Sequence, residues 1–328
     1  MKAAWFEEFG AAADVLRVGE LPRLEPATDQ VVVRLHTSGV NPSDVKKRAG
    51  AFQNLLDEGP VVPHSDGAGV IESVGEGVPE NRIGERVWVY QAQFERRFGT
   101  AAQFVCINRK RAIPLPRNAS FEVGACLGIP AMTAHRCVFA DGPVDNKTVL
   151  VTGGAGRVGH YAIQWAKQAG ARVFATASSD ADAEACREAG ATAVANHHDD
   201  QWSAEILAAN GGKKLHRVID VEFGANLEQV LGLIRTGGKI ATYSSTVVPQ
   251  PTLPFLRMMY LDLTLRTVIV YAMPEQAKFE AIADLDRYLR DERLIHRVAH
   301  VLPLDDVARS HELIEQGGFR GCVVVNTE

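Results

Sequence analysis

The sequence predicts an α/β protein in two parts: a mostly β first domain, then a domain built on a doubly wound parallel sheet. Three observations predict it. Residues 1 to about 117 are short β-branched runs broken by Gly and Pro. From about residue 121 the hydrophobic period changes, and strand-like and helix-like segments alternate at the pitch of βαβ units. Between Lys147 and Gly170 the chain reads strand, glycine turn, helix. The length of 328 residues fits about two domains.

In the first part, Lys2 to Trp5, Val31 to His36, Gly69 to Val74, Arg86 to Tyr90 and Ala102 to Ile107 read as strands. Pro22, Pro26, Pro42, Pro60 and Pro114 punctuate them, with Gly59, Gly75 and Gly77. Their spacing is too irregular for a repeat array. Phe121 to Phe139 then reads as a helix interrupted at Pro130. Beyond the glycine turn, strands are expected at Arg172 to Thr176, Ala193 to Ala195, Arg217 to Val221 and Lys239 to Tyr243. Helices are expected at Asp182 to Ala189, Ser203 to Ala209 and Leu227 to Ile234.

Leu263 to Tyr271 would form the last strand of that sheet. Its apolar edge requires a partner, so a homodimer through this strand is expected. After Pro274 come an amphipathic helix to Arg293, a strand near Arg297 to Leu302, a helix from Asp306 to Gln316 and a strand from Gly321 to Asn326. These lack βαβ pitch and are expected to rejoin the first domain, leaving the ligand in the cleft between the two. The boundaries are therefore placed at 1–120, 121–272 and 273–328.

A net charge of -5 with no long basic run gives no electrostatic basis for binding nucleic acid or anionic membrane. Cys106, Cys126, Cys137, Cys186 and Cys322 are odd in number and contain no Cys-x-x-Cys pair, which suits reduced core thiols and a cytoplasmic protein. The acidic start, Met1 to Phe9, predicts no secretion signal. The apolar segment Leu261 to Met273 is interrupted by Asp262 and Arg266 and is too short for a membrane span.

The most informative motif is Gly154-Ala155-Gly156-Arg157-Val158-Gly159, preceded by Gly153 and by the β-branched run Thr148 to Thr152. Val158, Ala162, Trp165, Ala166 and Ala169 follow at helical spacing. The first glycine permits a tight turn, the second lets backbone approach a pyrophosphate, and the third lets helix and strand pack closely. The helix N-terminus adds free N–H groups and partial positive charge. This predicts a dinucleotide site.

The segments Ser38-Gly-Val-Asn-Pro42, Val61-Val-Pro-His-Ser-Asp-Gly-Ala-Gly-Val-Ile71, Gly128-Ile-Pro-Ala-Met-Thr-Ala134, the glycine turn, Asn196-His197 and Arg235-Thr-Gly-Gly-Lys239 resemble the medium-chain dehydrogenase/reductase superfamily. Within it they resemble the zinc-free quinone oxidoreductases of the zeta-crystallin type. The resemblance implies a GroES-like domain plus a Rossmann domain, an NADPH cofactor, and reduction of quinones or similar conjugated carbonyls.

Where alcohol dehydrogenases of the superfamily place Cys and His zinc ligands, this chain has Asn41 and Ser65, and the Cys-x-x-Cys run of the structural zinc site is missing. No metal is expected. His64 reads as a locally hydrogen-bonded loop residue. His197 and His198, read as strand neighbours, would point to opposite faces and not share a metal.

The resemblance places Asn41 and Thr133 near the nicotinamide and substrate, although Asn41 also fits a plain Asn-Pro turn. Lys46 stands where many relatives carry Tyr; it is either a hydrogen-bond donor to the developing oxyanion or simply solvated. The strand end Ala177-Ser178-Ser179 carries no acid for a ribose 2′-hydroxyl, which allows NADPH. Asp180 and Asp182 fit a helix N-terminal turn, while relatives often carry a phosphate-binding lysine at position 182. Arg157 and His197 are candidates for the 2′-phosphate. Val221, Tyr243 and Ser244 close strands at their C-terminal ends, where such sheets bind ligands.

Enoyl or alkenal reduction is an enzymatic alternative, differing in a pocket that Phe52, Phe94, Phe255, Met258 and Met259 would shape. An NADPH-binding protein with a structural or RNA-associated role is another; the absence of a basic stripe argues against RNA.

Overall fold

The computed structural model describes all 328 residues. It divides into two compact units, Met1–Ile129 with Ile282–Glu328, and Pro130–Ala281. The chain passes from one to the other at Ile129/Pro130 and returns within a helix at Ala281/Ile282.

The first unit opens with β1 (Lys2–Trp5), α1 (Ala12–Val15) and β2 (Arg17–Glu20), with β1 and β2 paired antiparallel. Its organising strand is β3 (Gln30–Val40). Helix α2 (Pro42–Arg48) follows at once, and then come β4 (Asp66–Val74), β5 (Arg86–Val89), β6 (Phe104–Asn108) and β7 (Ala112–Pro114). β3 pairs antiparallel with both β4 and β6. Val31, Val33 and Leu35 on β3 pack with Ile71, Val87, Val89, Val105 and Ile107, and all are buried. The period of two puts these side chains on one face. Burying each Val, Leu or Ile stabilises the domain by roughly 1.5–3 kcal/mol.

The helix expected over 121–139 is three pieces: α3 (Phe121–Gly124), a π-turn (Leu127–Ala131) and α4 (Met132–Phe139). Pro130 has no N–H to continue an α-helical ladder, and the wider turn accommodates it.

The second unit continues with β8 (Thr148–Val151), α5 (Arg157–Gln168), β9 (Arg172–Ala177), α6 (Asp180–Glu188), β10 (Ala193–Asn196) and α7 (Trp202–Ala209). After these come β11 (Leu215–Asp220), α8 (Phe223–Leu233), β12 (Ile234–Thr242), α9 (Phe255–Tyr260) and β13 (Thr264–Thr267). All six strands are parallel, in the order β10-β9-β8-β11-β12-β13. The order reverses beside β8, so the crevice where such sheets bind ligands lies at its C-terminal end. Val149, Leu150 and Val151 are completely buried, as strands covered on both faces must be.

Helix α6 begins two residues before its expected start because Ser179 caps it, accepting from the Asp182 N–H at 3.2 Å. The edge strand β13 stops at Thr267, short of the expected Tyr271, and Val270–Ala272 turn into a 3₁₀ helix.

The chain returns through α10 (Glu275–Arg290), β14 (Val298–Pro303), α11 (Val307–Gln316) and β15 (Cys322–Asn326). β15 lies between β14 and β3, parallel to the first and antiparallel to the second. Val323, Val324 and Val325 are fully buried there. The last strand is thus an interior member of the first unit's sheet.

Candidate active site

The glycine turn is held by the strand beside it. Gly153 N–H donates to Thr176 Oγ1 at 3.0 Å, and Gly154 N–H to the Thr176 carbonyl at 2.8 Å. Gly153 has φ +59°, a region that favours glycine. A Cβ on Gly154 would lie 2.8 Å from Ile163 Cδ1 and 2.9 Å from both Ala175 Cβ and Cys186 Sγ. One on Gly159 would lie 2.9 Å from Gly154 Cα, inside van der Waals contact. Gly156 is different: its nearest neighbour would be Gly153 O at 3.2 Å, so its small size leaves space beside the turn.

Gly156 is also the N-cap of α5 and offers no side-chain cap, so the N-terminus of α5 begins at the glycine turn without one. Ala155 is buried in the turn itself. A pyrophosphate fits this cradle and its partial positive charge.

At the end of β9, Ala177, Ser178 and Ser179 meet the end of β10: Ala177 pairs with Asn196 and accepts from His197 N–H at 2.9 Å. Ser178 Oγ donates to Asp182 Oδ2 at 2.6 Å. Desolvation lowers the His197 pKa and His198 lowers it further, while Asp182 acts in the opposite direction. His197 and His198 lie on a turn after β10, and their rings are neighbours at 4.4 Å. They do not point to opposite faces as strand neighbours would, because the strand has ended. Arg157 is felt electrostatically by Tyr243, at the end of β12.

At the end of β11, Gly153 approaches Val221, whose Cγ1 would be 2.9 Å from an added Cβ. Val221 N–H donates to Thr152 Oγ1 at 3.0 Å, and Thr152 Oγ1 donates to Asp220 Oδ1 at 2.5 Å. Ser244 accepts from Phe223 N–H at 3.1 Å through its carbonyl. Burial pushes the Tyr243 phenol well above its ordinary value. Thr133 is buried on α4. Sequence reasoning placed Asp220 at a strand end but missed Thr152 and Thr176, which tie the strand ends together.

In the first unit, Asn41 is the hub of a buried polar cluster. Its backbone N–H donates to Asp44 Oδ2 at 2.8 Å, the reach-back of a capping box at the start of α2. Its side-chain Nδ2 donates to Asp66 Oδ2 at 3.0 Å, and the same oxygen accepts from Ile129 N–H at 2.8 Å. Lys47 Nζ donates to the backbone carbonyl and Oε1 of Gln93, each at 2.7 Å. Burial raises Asp44 to about 6 and Asp66 to about 8, and lowers Lys47.

Lys46 is exposed on the outer face of α2; the lysine inside the cluster is its neighbour, Lys47. Consecutive helical residues point about 100° apart, and the sequence pattern does not decide which of the two turns inward. Asp44 could have been found from the Asn-x-x-Asp capping pattern, and Asp66 from its place in the His64-Ser65-Asp66 segment.

His64 is completely buried. Its Nδ1 is 2.8 Å from Ser38 Oγ and its Nε2 is 3.0 Å from His311 Nε2. Its partners are distant in sequence, which corrects the expectation of local bonding: positive φ at His64 turns the ring inward. With both ring nitrogens engaged, an amide at Asn41 and a hydroxyl at Ser65, this donor set does not fit zinc. No group of three or more His, Cys, Asp or Glu side chains is arranged to hold a metal.

Residues 27–117 match the family model described as the alcohol dehydrogenase GroES-like domain, and residues 158–286 the one described as zinc-binding dehydrogenase. The chain is 32% identical over 241 residues to the quinone oxidoreductase of Rattus norvegicus, covering 73% of this chain and 72% of the relative. Among solved structures, a mycobacterial protein complexed with NADPH superposes with TM-score 0.88 at 26% identity, covering 99% of this chain and 100% of that one. A structure described as an NAD-dependent alcohol dehydrogenase superposes with TM-score 0.87 at 29% identity over the whole of both chains. The chain is an oxidoreductase and belongs to the quinone oxidoreductases of the medium-chain dehydrogenase/reductase superfamily.

Proposed function

We propose that the protein is a cytoplasmic, zinc-free, NADPH-dependent quinone reductase. The observation that carries this reading is the cradle from Gly153 to Gly159 at the uncapped N-terminus of α5. Its backbone N–H groups bind the pyrophosphate, and Ser178, Ser179 and His197 are assigned to the 2′-phosphate. When bound, the reduced nicotinamide supplies a hydride.

The donors around Asn41 do not fit zinc, so the acceptor must be electrophilic by itself. A quinone or an α,β-unsaturated ketone meets that need by spreading developing charge onto oxygen. An amide nitrogen carries two hydrogens. Asn41 gives one to Asp66, and the second, which also acts on Asp44, is assigned to the acceptor oxygen. Thr133 is assigned to positioning the nicotinamide and acceptor. Lys46 faces solvent, so any contribution it makes is from the open side of α2.

Initial rates with a panel of quinones, alkenals and alcohols, each with NADPH and NADH, test this reading. NADPH-driven quinone reduction is expected. Reduction of alkenals alone would make it an enoyl or alkenal reductase, and binding without turnover would favour a non-catalytic role. NAD⁺-driven alcohol oxidation would overturn it.

The proposal includes a homodimer. β13 is paired on one side only, and α9, just before it, leaves Phe255 (71%) and Tyr260 (80%) exposed with Leu256 and Met259. Light scattering that gives the mass of one chain at micromolar concentration would reject it.

A further inference from the structure

We propose that Asp66 is a positioning residue: one carboxyl oxygen accepts from both the Asn41 amide and the Ile129 N–H, fixing the Asn41 side chain for the acceptor. This rests on the role proposed for Asn41. Asp66 is completely buried at the start of β4, and its Oδ1 has no hydrogen-bond partner. That oxygen lies against Gly128, where an added Cβ would collide with it. Gly128 and Ile129 thus enclose the carboxyl from the π-turn, while Asn41 holds it from the start of α2.

Burial favours the neutral acid: Oδ1 is shut against Gly128 with no partner and no cation is bonded to either oxygen, while the two hydrogen bonds to Oδ2 act in the opposite direction. The charged groups facing it are Asp44 and Lys47, both from α2; His64 lies two residues away in the preceding loop, and Cys126 senses its charge. Desolvation is the main cause that raises Asp66 to about 8, and Asp44 adds to it. Below that pH the acid is neutral and Lys47 stays on Gln93. Above it, a buried negative charge appears with Asp44 beside it, the Lys47 ammonium is drawn off Gln93, and lysine then competes with the Asn41 amide for the carboxylate oxygens. The productive orientation of Asn41 is therefore tied to the proton on Asp66.

The test is the pH profile of kcat with NADPH and a quinone, for the wild type, Asp66→Asn and Asp66→Ala. The wild type is expected to lose kcat above about pH 8, approaching tenfold per unit, as a one-proton limb does. Asp66→Asn keeps an acceptor oxygen and cannot ionise, so its alkaline limb should vanish. Asp66→Ala should lower kcat at every pH, with little change in KM for NADPH. An unchanged alkaline limb in Asp66→Asn overturns the inference.

If no quinone is reduced at any pH, the proposed function fails while this inference is still decided by carboxyl-carbon NMR. Titration of Asp66 near 8, with the Asn41 side-chain amide resonance moving in step, supports it. Titration near the ordinary value of about 4 overturns it.

Discussion

The imidazoles of His64 and His311 meet at 3.0 Å between their Nε2 atoms, joining residues 247 positions apart. One ring comes from the loop before β4 and the other from α11. Burial holds both neutral, with His64 down at about 3 and His311 well below its ordinary value. The unfolded chain therefore binds more protons than the folded one between about pH 6.5 and the depressed folded values. The stability supplied by the neutral pair is fully present above about 6.5 and falls as pH drops below it. Each such group contributes up to about 1.4 kcal/mol per pH unit in that window. Replacing His311 by Gln should cost about 1–3 kcal/mol at pH 7 by disturbing a buried bond. It should also flatten the acid slope of Tm between pH 6.5 and 4.5. Calorimetry giving parallel slopes for the two proteins would refute this.

In the second unit, the Asp141 carboxylate receives Arg266 through two hydrogen bonds, of 2.9 and 2.5 Å. Its backbone carbonyl accepts from Lys239 and from Arg217. The chain between α4 and β8 thereby pins β12 and the edge strand β13. The Arg266 hydrogen bonds hold the Asp141 carboxyl below the usual carboxylate range, so this stability is present at neutral pH and fades as pH falls through that depressed value. Asp141→Asn should destabilise the protein by about 1–3 kcal/mol at pH 7. The deficit should shrink toward pH 3. A denaturant series at both pH values checks the sign.

The three motif glycines should behave differently from one another. Gly154→Ala and Gly159→Ala place a methyl group into packed atoms, so both should lower Tm clearly as well as weaken cofactor binding. Gly156→Ala meets only Gly153 O at 3.2 Å and should leave Tm within a few degrees. Its methyl group would instead stand where a pyrophosphate approaches the turn, weakening NADPH binding by ~10-fold or more. Fluorescence titration beside thermal melts separates the two effects. Equal losses of Tm in all three variants would contradict the distinction.

The parallel sheet was legible because its signals are local: a β-branched run, a glycine turn, and apolar residues at helical spacing from Val158 to Ala169. The return of β15 into the first unit's sheet was foreseen only by elimination, since nothing local in Cys322–Asn326 names β3 as its neighbour. Side-chain direction was less accessible. Lys46 and Lys47 are chemically identical neighbours, and packing against Gln93 selects the second. The partner of His64 could not be read locally, because it sits on a helix near the other end of the chain. The β13 strand was overestimated because its apolar continuation into Val270 and Tyr271 is buried as a turn instead.

Asp182 bears on the cofactor preference proposed above. Its carboxylate accepts from Ser178 Oγ at 2.6 Å and acts on His197, so it engages two of the three groups assigned to the 2′-phosphate. A carboxylate there repels a phosphate and competes for its donors, yet it can accept from a ribose hydroxyl. Asp182→Ala should therefore raise the NADPH-to-NADH ratio of kcat/KM by ~10-fold, about 1.4 kcal/mol. The N-cap bond from Asp182 N–H to Ser179 uses backbone and survives the change, so α6 should remain intact. Desolvation and His198 hold His197 below its ordinary value, so it gains its proton only below the ordinary imidazole range. NADPH affinity should consequently rise as pH falls below that range, while NADH affinity stays level. Asp182→Ala should also lower the pH at which this gain appears, because the carboxylate that favours protonated His197 is gone. Equal effects on both cofactors, with no dependence on pH, would remove Ser178, Asp182 and His197 from the specificity site.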